Sequence, residues 1–303
     1  MLGPSVPDYF PEVRVRRRDY SSPADLRAMQ GLIQRTWSPD SRLHIGDLAW
    51  ERHAIPGREA SWRTSLWEDD GQVIAWGWAE LPDHLSFVVD PAQPELAAEV
   101  VDWFRETATG ETLAASVLQK EVHLIAALEA AGFRPDDEAP YFTHHHLSLG
   151  DLGSAAVPDG FTLRHVRPDE VEKRAAGHVA AWSDWGPSKM TAQSFGAVMS
   201  SWPYRPELDW VVEGPDGDFV ATALIWLDEL NGIGLVEPVG CAPAYRRRGL
   251  ARAVNLAALQ ALRGFGVNKA MVCPRGDDGY PMARKLYQNI GFRPGSRTVT
   301  FIA

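Results

Sequence analysis

The chain has 303 residues, 45% hydrophobic and 23% charged, with a formal net charge of -10; that length leads us to expect two domains of about 150 residues each. Acidity argues against nonspecific nucleic-acid binding, which depends on neutralising phosphates, and no apolar run approaches the ~20 residues that span a bilayer. The opening MLGPSVPDYFPEVRVRRRDY has no apolar stretch of secretory length, and the two cysteines, Cys241 and Cys273, cannot make a disulfide framework, so a cytoplasmic protein without membrane contact is expected.

In the first half, Val13-Arg14-Val15-Arg16 begins a short alternating strand. Strands are predicted over 72–80 and 85–89, a helix over 94–107, a short strand over 112–116, a helix over 122–131 and a last strand over 141–149. On that last strand His144 and His146 share a face, but two ligands do not make a metal site, and no metal is expected. The run from Gly150 to Gly160 is rich in small and turn-forming residues. That is linker chemistry, and it sets the expected domains at 1–154 and 155–303.

The second half opens with a strand over 161–164 and a helix over 168–181. A hairpin over 209–213 and 219–226 turns at Gly214-Pro215-Asp216-Gly217. A central strand follows over 233–241. Leu250, Val254, Ala257, Ala258, Ala261 and Phe265 then repeat at the spacing of one buried helix face over 249–262, and Gly264 and Gly266 supply its stop. A strand over 269–272, a helix over 280–290 ended by Gly291, and a strand over 297–302 complete the chain. This order predicts an α/β fold, a mixed sheet with helices on both faces. The first half repeats the order, and Ala131-Gly132-Phe133-Arg134-Pro135 is echoed by Ile290-Gly291-Phe292-Arg293-Pro294, so the chain reads as a diverged tandem repeat.

The run Val239-Gly240-Cys241-Ala242-Pro243-Ala244-Tyr245-Arg246-Arg247-Arg248-Gly249-Leu250-Ala251 carries the chemistry. It is a strand, a tight turn with glycine, and a helix start. The first amides of a helix have no partner within it, and its dipole puts partial positive charge there. Three arginines on an acidic protein add to that charge, and a pyrophosphate suits such a place.

Arg246-x-x-Gly249-x-Ala251 resembles the (Gln/Arg)-x-x-Gly-x-(Gly/Ala) signature of the GNAT acyltransferases. Leu286-Tyr287-Gln288-Asn289-Ile290-Gly291-Phe292 resembles their closing motif, Leu-Tyr-Glu-x-x-Gly-Phe. The resemblance covers residues 161–303, and more faintly 13–150. It implies two tandem GNAT folds, in each of which the central strand and the next splay apart. It also implies an acetyl-CoA or similar acyl-CoA cosubstrate, held by Arg246, Arg247, Arg248, Gly249, Leu250 and Ala251, with Val239 and Cys241 on the strand before them. The reaction it implies is acyl transfer to an amine by direct attack. Tyr287 then stands where the family commonly has the proton donor to the leaving thiolate.

Glu237 is the candidate base. A carboxylate in an apolar strand is costly to bury without a purpose or a partner, and burial raises its pKa toward a useful range. Family members often carry this glutamate two residues earlier, at the place of Leu235, and alternation puts residues 235 and 237 on one face. An asparagine common near the closing motif is replaced by Tyr280. In the first half the anion loop aligns with Pro94, Glu95, Ala97 and Glu99, which lose an N–H, add a Cβ and add negative charge, and Leu128 stands at the place of Tyr287. That half is expected not to bind CoA.

Trp182, Trp185 and Trp202 are expected to wall the acceptor pocket, and Trp210 and Trp226 to pack in the core. Asp228 and Glu229 read as solvated turn residues, with binding of a substrate ammonium as the other use. Asp40, Arg42 and His44 lie in a first-half loop that could face the second half's site. The tandem plan resembles mycothiol synthases and the tandem acetyltransferases of antibiotic producers. The expected partner is a small-molecule amine, and the chain a monomer or homodimer. Two other readings stay open: a CoA-binding sensor or scaffold without turnover, and an acetyltransferase of peptide or protein N-termini.

Overall fold

The structure is a computed structural model that describes residues 15–184, 186 and 188–303. The first half runs β1 (Arg16–Asp19), α1 (Pro23–Thr36), α2 (Ile45–His53), β2 (Trp62–Asp69), β3 (Gln72–Glu80), β4 (His84–Val89), α3 (Leu96–Thr107), β5 (Ala114–Leu118), α4 (Val122–Ala130), β6 (Arg134–Pro135) and β7 (Thr143–Ser148). The second half runs β8 (Thr162–His165), α5 (Val171–Ala181), α6 (Ala192–Ser200), β9 (Asp209–Glu213), β10 (Phe219–Asp228), β11 (Ile233–Cys241), α7 (Leu250–Gly264), β12 (Lys269–Val272), α8 (Pro281–Ile290) and β13 (Arg293–Ile302). The fold is the expected α/β class. Every residue of β10 is buried, because helices cover both faces of the sheet and leave neither to water.

The predicted last strand starts earlier than expected, at Arg293, and the strand expected over 112–116 lies at Ala114–Leu118. The strand expected from Val13 appears as β1; Val13 and Arg14 lie outside the described residues.

Among the described residues the strands join in one sheet, ordered β1-β2-β3-β4-β5-β13-β7-β12-β11-β10-β9-β8, with β6 paired to β13. The two last strands are exchanged. β7, from the first half, lies antiparallel to β12, with Lys269 opposite Ser148 and Val272 opposite His145. β13, from the second half, lies antiparallel to β5, with Thr298 opposite Leu118 and Ile302 opposite Ala114. The exchanged strands also pair with each other where Arg293 faces His146 and Arg297 faces Thr143. Each half is thus closed by the other's chain.

Two features position the site. β11 and β12 are parallel and pair only from Ile233 opposite Lys269 to Leu235 opposite Met271. Beyond Leu235, β11 continues to Cys241 along β10 alone, so its other edge carries unpaired backbone groups that want a partner. The second feature is α2. Its Ile45 and Leu48 pack in the first-half core with Leu32 and Trp76, while its Ala49 packs with Leu224, Trp226, Leu235 and Met271 of the second half. The helix is wedged between the halves and lies over β10 and β11.

Candidate functional site

At the end of β11 the chain makes a short 3-10 turn, Pro243–Tyr245, and enters α7 through Gly249. Gly249 has φ 80 and Arg247 φ 61, both left-handed. Glycine adopts that conformation without steric cost, whereas an arginine there is strained, and such strain collects at functional loops. A Cβ at Gly249 would meet nothing within 4 Å, so the loop faces open space and glycine is required by its dihedral angles. α7 has no side-chain cap and no acidic residue in its first turn. Among the described residues, the amides of Gly249, Leu250, Ala251 and Arg252 receive no hydrogen-bond acceptor; the first satisfied one is Ala253, bonded to Gly249 O at 2.9 Å. This is a cradle of unpaired N–H groups at the positive end of a helix dipole.

The three arginines divide their work. Arg246 is committed within the protein: its Nε donates to Cys241 O at 3.0 Å, its Nη atoms to Asp184 at 2.5 and 2.9 Å, and Nη2 to Ala181 O at 3.1 Å. It ties the end of α5 to the end of β11. Arg248 reaches over Tyr245, and both Arg247 and Arg248 are exposed beside the amide cradle. Val239 and Cys241 are half-buried on the open stretch of β11, and burial pushes the Cys241 thiol up.

The matching place in the first half is built differently. There the amides of Leu96, Ala97 and Ala98 are already taken, by Gln93 O, Pro94 O and Glu95 O, each at 3.2 Å. Glu99 lies in the first turn of α3 and accepts from Trp67 Nε1 at 3.1 Å. These three amides are not free to receive a diphosphate, and Glu99 adds negative charge to the same turn.

Glu237, on the stretch of β11 beyond its pairing with β12, and Tyr287 on α8 are close enough for the charge of one to act on the other. Trp226 holds the strand there, donating from Nε1 to Glu237 O at 2.7 Å. The Glu237 carboxyl is pushed well above its ordinary range, by burial first and then by the nearby Asp47 and Glu51. Tyr287, 6% exposed, packs edge-on against Phe292 with ring centroids 5.8 Å apart. Its phenol is also pushed up, by burial and by Glu237, Cys273 and Tyr280. Cys273, just past β12, is a third member of this group.

Sequence reasoning missed Asp47 and Glu51, both on α2. Asp47 lies within hydrogen-bonding reach of Glu237, and burial pushes its carboxyl up to about 7. Glu51 is exposed to the solvent of the cleft, yet the surrounding protein raises its pKa too. The available signal was two carboxylates one helical turn apart, opposite the apolar Ile45, Leu48 and Ala49. The loop before α2 does face the site. Arg42 bears on Asp47, Glu51 and Cys273, and Asp40 accepts from Ser296 Oγ at 3.1 Å. His44 is the N-cap of α2, its Nδ1 accepting from Gly46 N at 3.1 Å. Arg42 and Glu51 also line a cavity of about 140 Å³ on the first-half side, with Trp62, Trp78, His84 and Ser86.

The tryptophans separate by place. Trp182 stands by Gly240 of β11 and beside His178, with ring centroids 6.1 Å apart. Trp202 lies under the Arg27 guanidinium at 3.5 Å, and its carbonyl accepts from Gln30 Nε2 of the first half at 3.1 Å. Trp185 lies outside the described residues. Trp226 is buried in the core, and Trp210 donates to Glu207 O at 2.9 Å. Asp228 is neither solvated nor free for an ammonium: it is fully buried, accepting from Gln34 Nε2 at 2.7 Å and from Asn231. Glu229 pairs with Arg205 at 2.5 Å. His144 and His145 are buried on β7. No group of three or more His, Cys, Asp or Glu among the described residues could hold a metal, and no described helix is long and apolar enough to cross a membrane.

Residues 180–292 match the profile of the acetyltransferase (GNAT) family. The sequence is 28% identical to a mycothiol acetyltransferase of Rhodococcus erythropolis across 297 residues, covering 87% of this chain and 91% of the relative. A mycothiol acetyltransferase of Beutenbergia cavernae is 35% identical over 149 residues, 47% of this chain and 48% of its own. Among solved structures, a tandem GNAT protein from the clavulanic acid biosynthesis pathway superposes with a TM-score of 0.64 at 17% identity, covering 96% of this chain and 98% of that one. A GCN5-related N-acetyltransferase from Sphaerobacter thermophilus gives 0.60 at 22% identity, over 99% and 96%. At these identities the structural likeness is one of fold.

Proposed function

The chain carries a GNAT acetyltransferase domain, and from that premise we propose that it moves an acetyl group from acetyl-CoA to the amine of a small molecule by direct attack. One observation carries the reading: unpaired amides at the start of α7, an unpaired strand edge and a carboxyl–phenol couple all border one opening. The diphosphate of acetyl-CoA would rest on the amides of Gly249 to Arg252, flanked by Arg247 and Arg248. Its pantetheine arm would pair with the open edge of β11 at Val239 and Cys241. That would bring the thioester to Glu237 and Tyr287. Residues 1–154 and 155–303 are the two units in this reading, the first without CoA.

The proton movements balance. Glu237 takes one proton from the substrate ammonium, freeing its lone pair to attack the thioester carbonyl. The C–N bond forms, the C–S bond breaks, and the thiolate takes the Tyr287 proton. The new amide nitrogen sheds its extra proton, which restores the phenol through water, and Glu237 gives its proton to solvent. Relatives named for acetylating mycothiol and the small size of the cavity beside Glu51 favour a small acceptor over a protein N-terminus. We place this activity in the cytoplasm, in a monomer or homodimer.

The test follows thiol release from acetyl-CoA with a panel of small amines and peptides. Release with a small amine, lost in Glu237→Gln, is the expected result. Tight CoA binding without release on any acceptor would overturn the enzyme reading in favour of a sensor.

A further inference from the structure

The first half has no anion cradle, yet it sends α2 into the second half's site. Gly46, in the first turn of α2, sits so close to Trp226 that an added Cβ would stand 2.3 Å from it. Only glycine fits, and the contact fixes the height of α2 over the sheet. The next residue, Asp47, accepts from the His44 amide at 2.6 Å, which holds its carboxyl in place. That carboxyl lies within hydrogen-bonding reach of Glu237 on β11. Two carboxylates cannot hydrogen-bond to each other without a proton between them.

The other titratable and charged groups around the pair are Glu51 on α2, Arg42 in the loop before it, Cys273 after β12 and Tyr287 on α8. Glu51 adds to the repulsion that makes a shared proton favourable, and Arg42 limits it.

We propose that Asp47 is a positioning residue for the acyl transfer, sharing one proton with Glu237 across the two halves and so setting Glu237 as a base matched to an amine. The inference rests on Glu237 being the base. Titration of such a couple belongs to the pair: the first proton leaves easily and the second is held to higher pH. Burial and the nearby Glu51 raise both carboxyls, while the contact between them raises Glu237 and lowers Asp47. An isolated carboxylate near pKa ~4 is a poor acceptor for an ammonium proton, and a neighbouring negative charge makes it a better one.

Asp47→Asn tests this. The asparagine Oδ1 still accepts from His44, and its amide donates to Glu237, which now favours the ionised form. The acid limb of kcat/KM for the acceptor should move down by one pH unit or more, and the plateau should fall about tenfold. CoA affinity and melting temperature should stay as in the wild type, and Asp47→Glu should return the limb toward its original place. Infrared titration of the protein alone gives a reading without activity. A protonated-carboxyl band should persist above pH 7 in the wild type, vanish in Glu237→Gln and move to lower pH in Asp47→Asn. A limb and band unchanged in Asp47→Asn but lost in Glu237→Gln overturn the role of Asp47 alone. A limb unchanged in both variants removes Glu237 as base, and this inference with it.

Discussion

The Tyr287 hydroxyl makes no hydrogen bond with any described residue, although its ring is 6% exposed and packed against Phe292. Taking away that oxygen therefore leaves the packing intact, and Tyr287→Phe separates chemistry from stability. The expected result is a melting temperature and CoA affinity as in the wild type, with kcat lower by about 10²-fold, the low end of general acid catalysis. Unchanged kcat would remove the phenol from the mechanism. Tyr287, Glu237 and Gly249 were legible as residues because their chemistry is written locally: a motif tyrosine, a carboxylate in an apolar strand, a glycine before a helix. Asp47 was not, because its meaning depends on what faces it across the chain. Asp228 misled for the same reason. A turn aspartate is ordinarily solvated, and only the tertiary contact with Gln34 buries it.

At the level of elements, α3 and α7 occupy matching places and differ in the state of their first amides. Those of α3 are spent on Gln93, Pro94 and Glu95, while those of α7 from Gly249 to Arg252 find no acceptor among the described residues. Calorimetry should therefore find one CoA per chain. Gly249→Glu, which strains a left-handed site by about 1–2 kcal/mol and sets a carboxylate against the cradle, should abolish binding. Ala97→Glu should leave it intact. Two CoA per chain would mean that the first-half amides open on binding. Strands and helices with one buried face, such as β4 and α7, were readable from periodicity. α2 was not, because it buries residues against two cores and its pattern is blurred between them. The exchange of β7 and β13 was also hidden. β7 comes after one Gly-Phe-Arg-Pro run and β13 begins inside the other, and alternation tells which face of a strand is buried, not which sheet receives it.

Over the whole molecule, burial holds several histidines neutral. It pulls His144 and His178 down to about 3 and His44 to about 4. An unfolded histidine binds its proton near pH 6.5. Between that value and the folded one, the unfolded state binds more protons, so this contribution to stability is present above about 6.5 and lost as the pH falls. Buried carboxyls such as Asp47 act in the opposite sense, so the clean signal is a difference between proteins. His144→Asn should be less stable than the wild type at pH 7.5, and that gap should shrink by about 2 kcal/mol at pH 5, as read by denaturant unfolding. A gap constant with pH would mean that His144 titrates in the fold as it does in the unfolded chain, and a gap that widens toward pH 5 would mean that it is protonated there. His144 lies on β7, in the sheet that joins the halves, which bears on the order of assembly. Chains fold from the N-terminus as they are synthesised, yet here the edge of β5 stays bare until residues 293–302 exist to cover it. The first half thus waits, unfinished, until the last strand of the second half has been made. A lesion in residues 293–302 would be felt some 180 residues away, in the sheet of the first half.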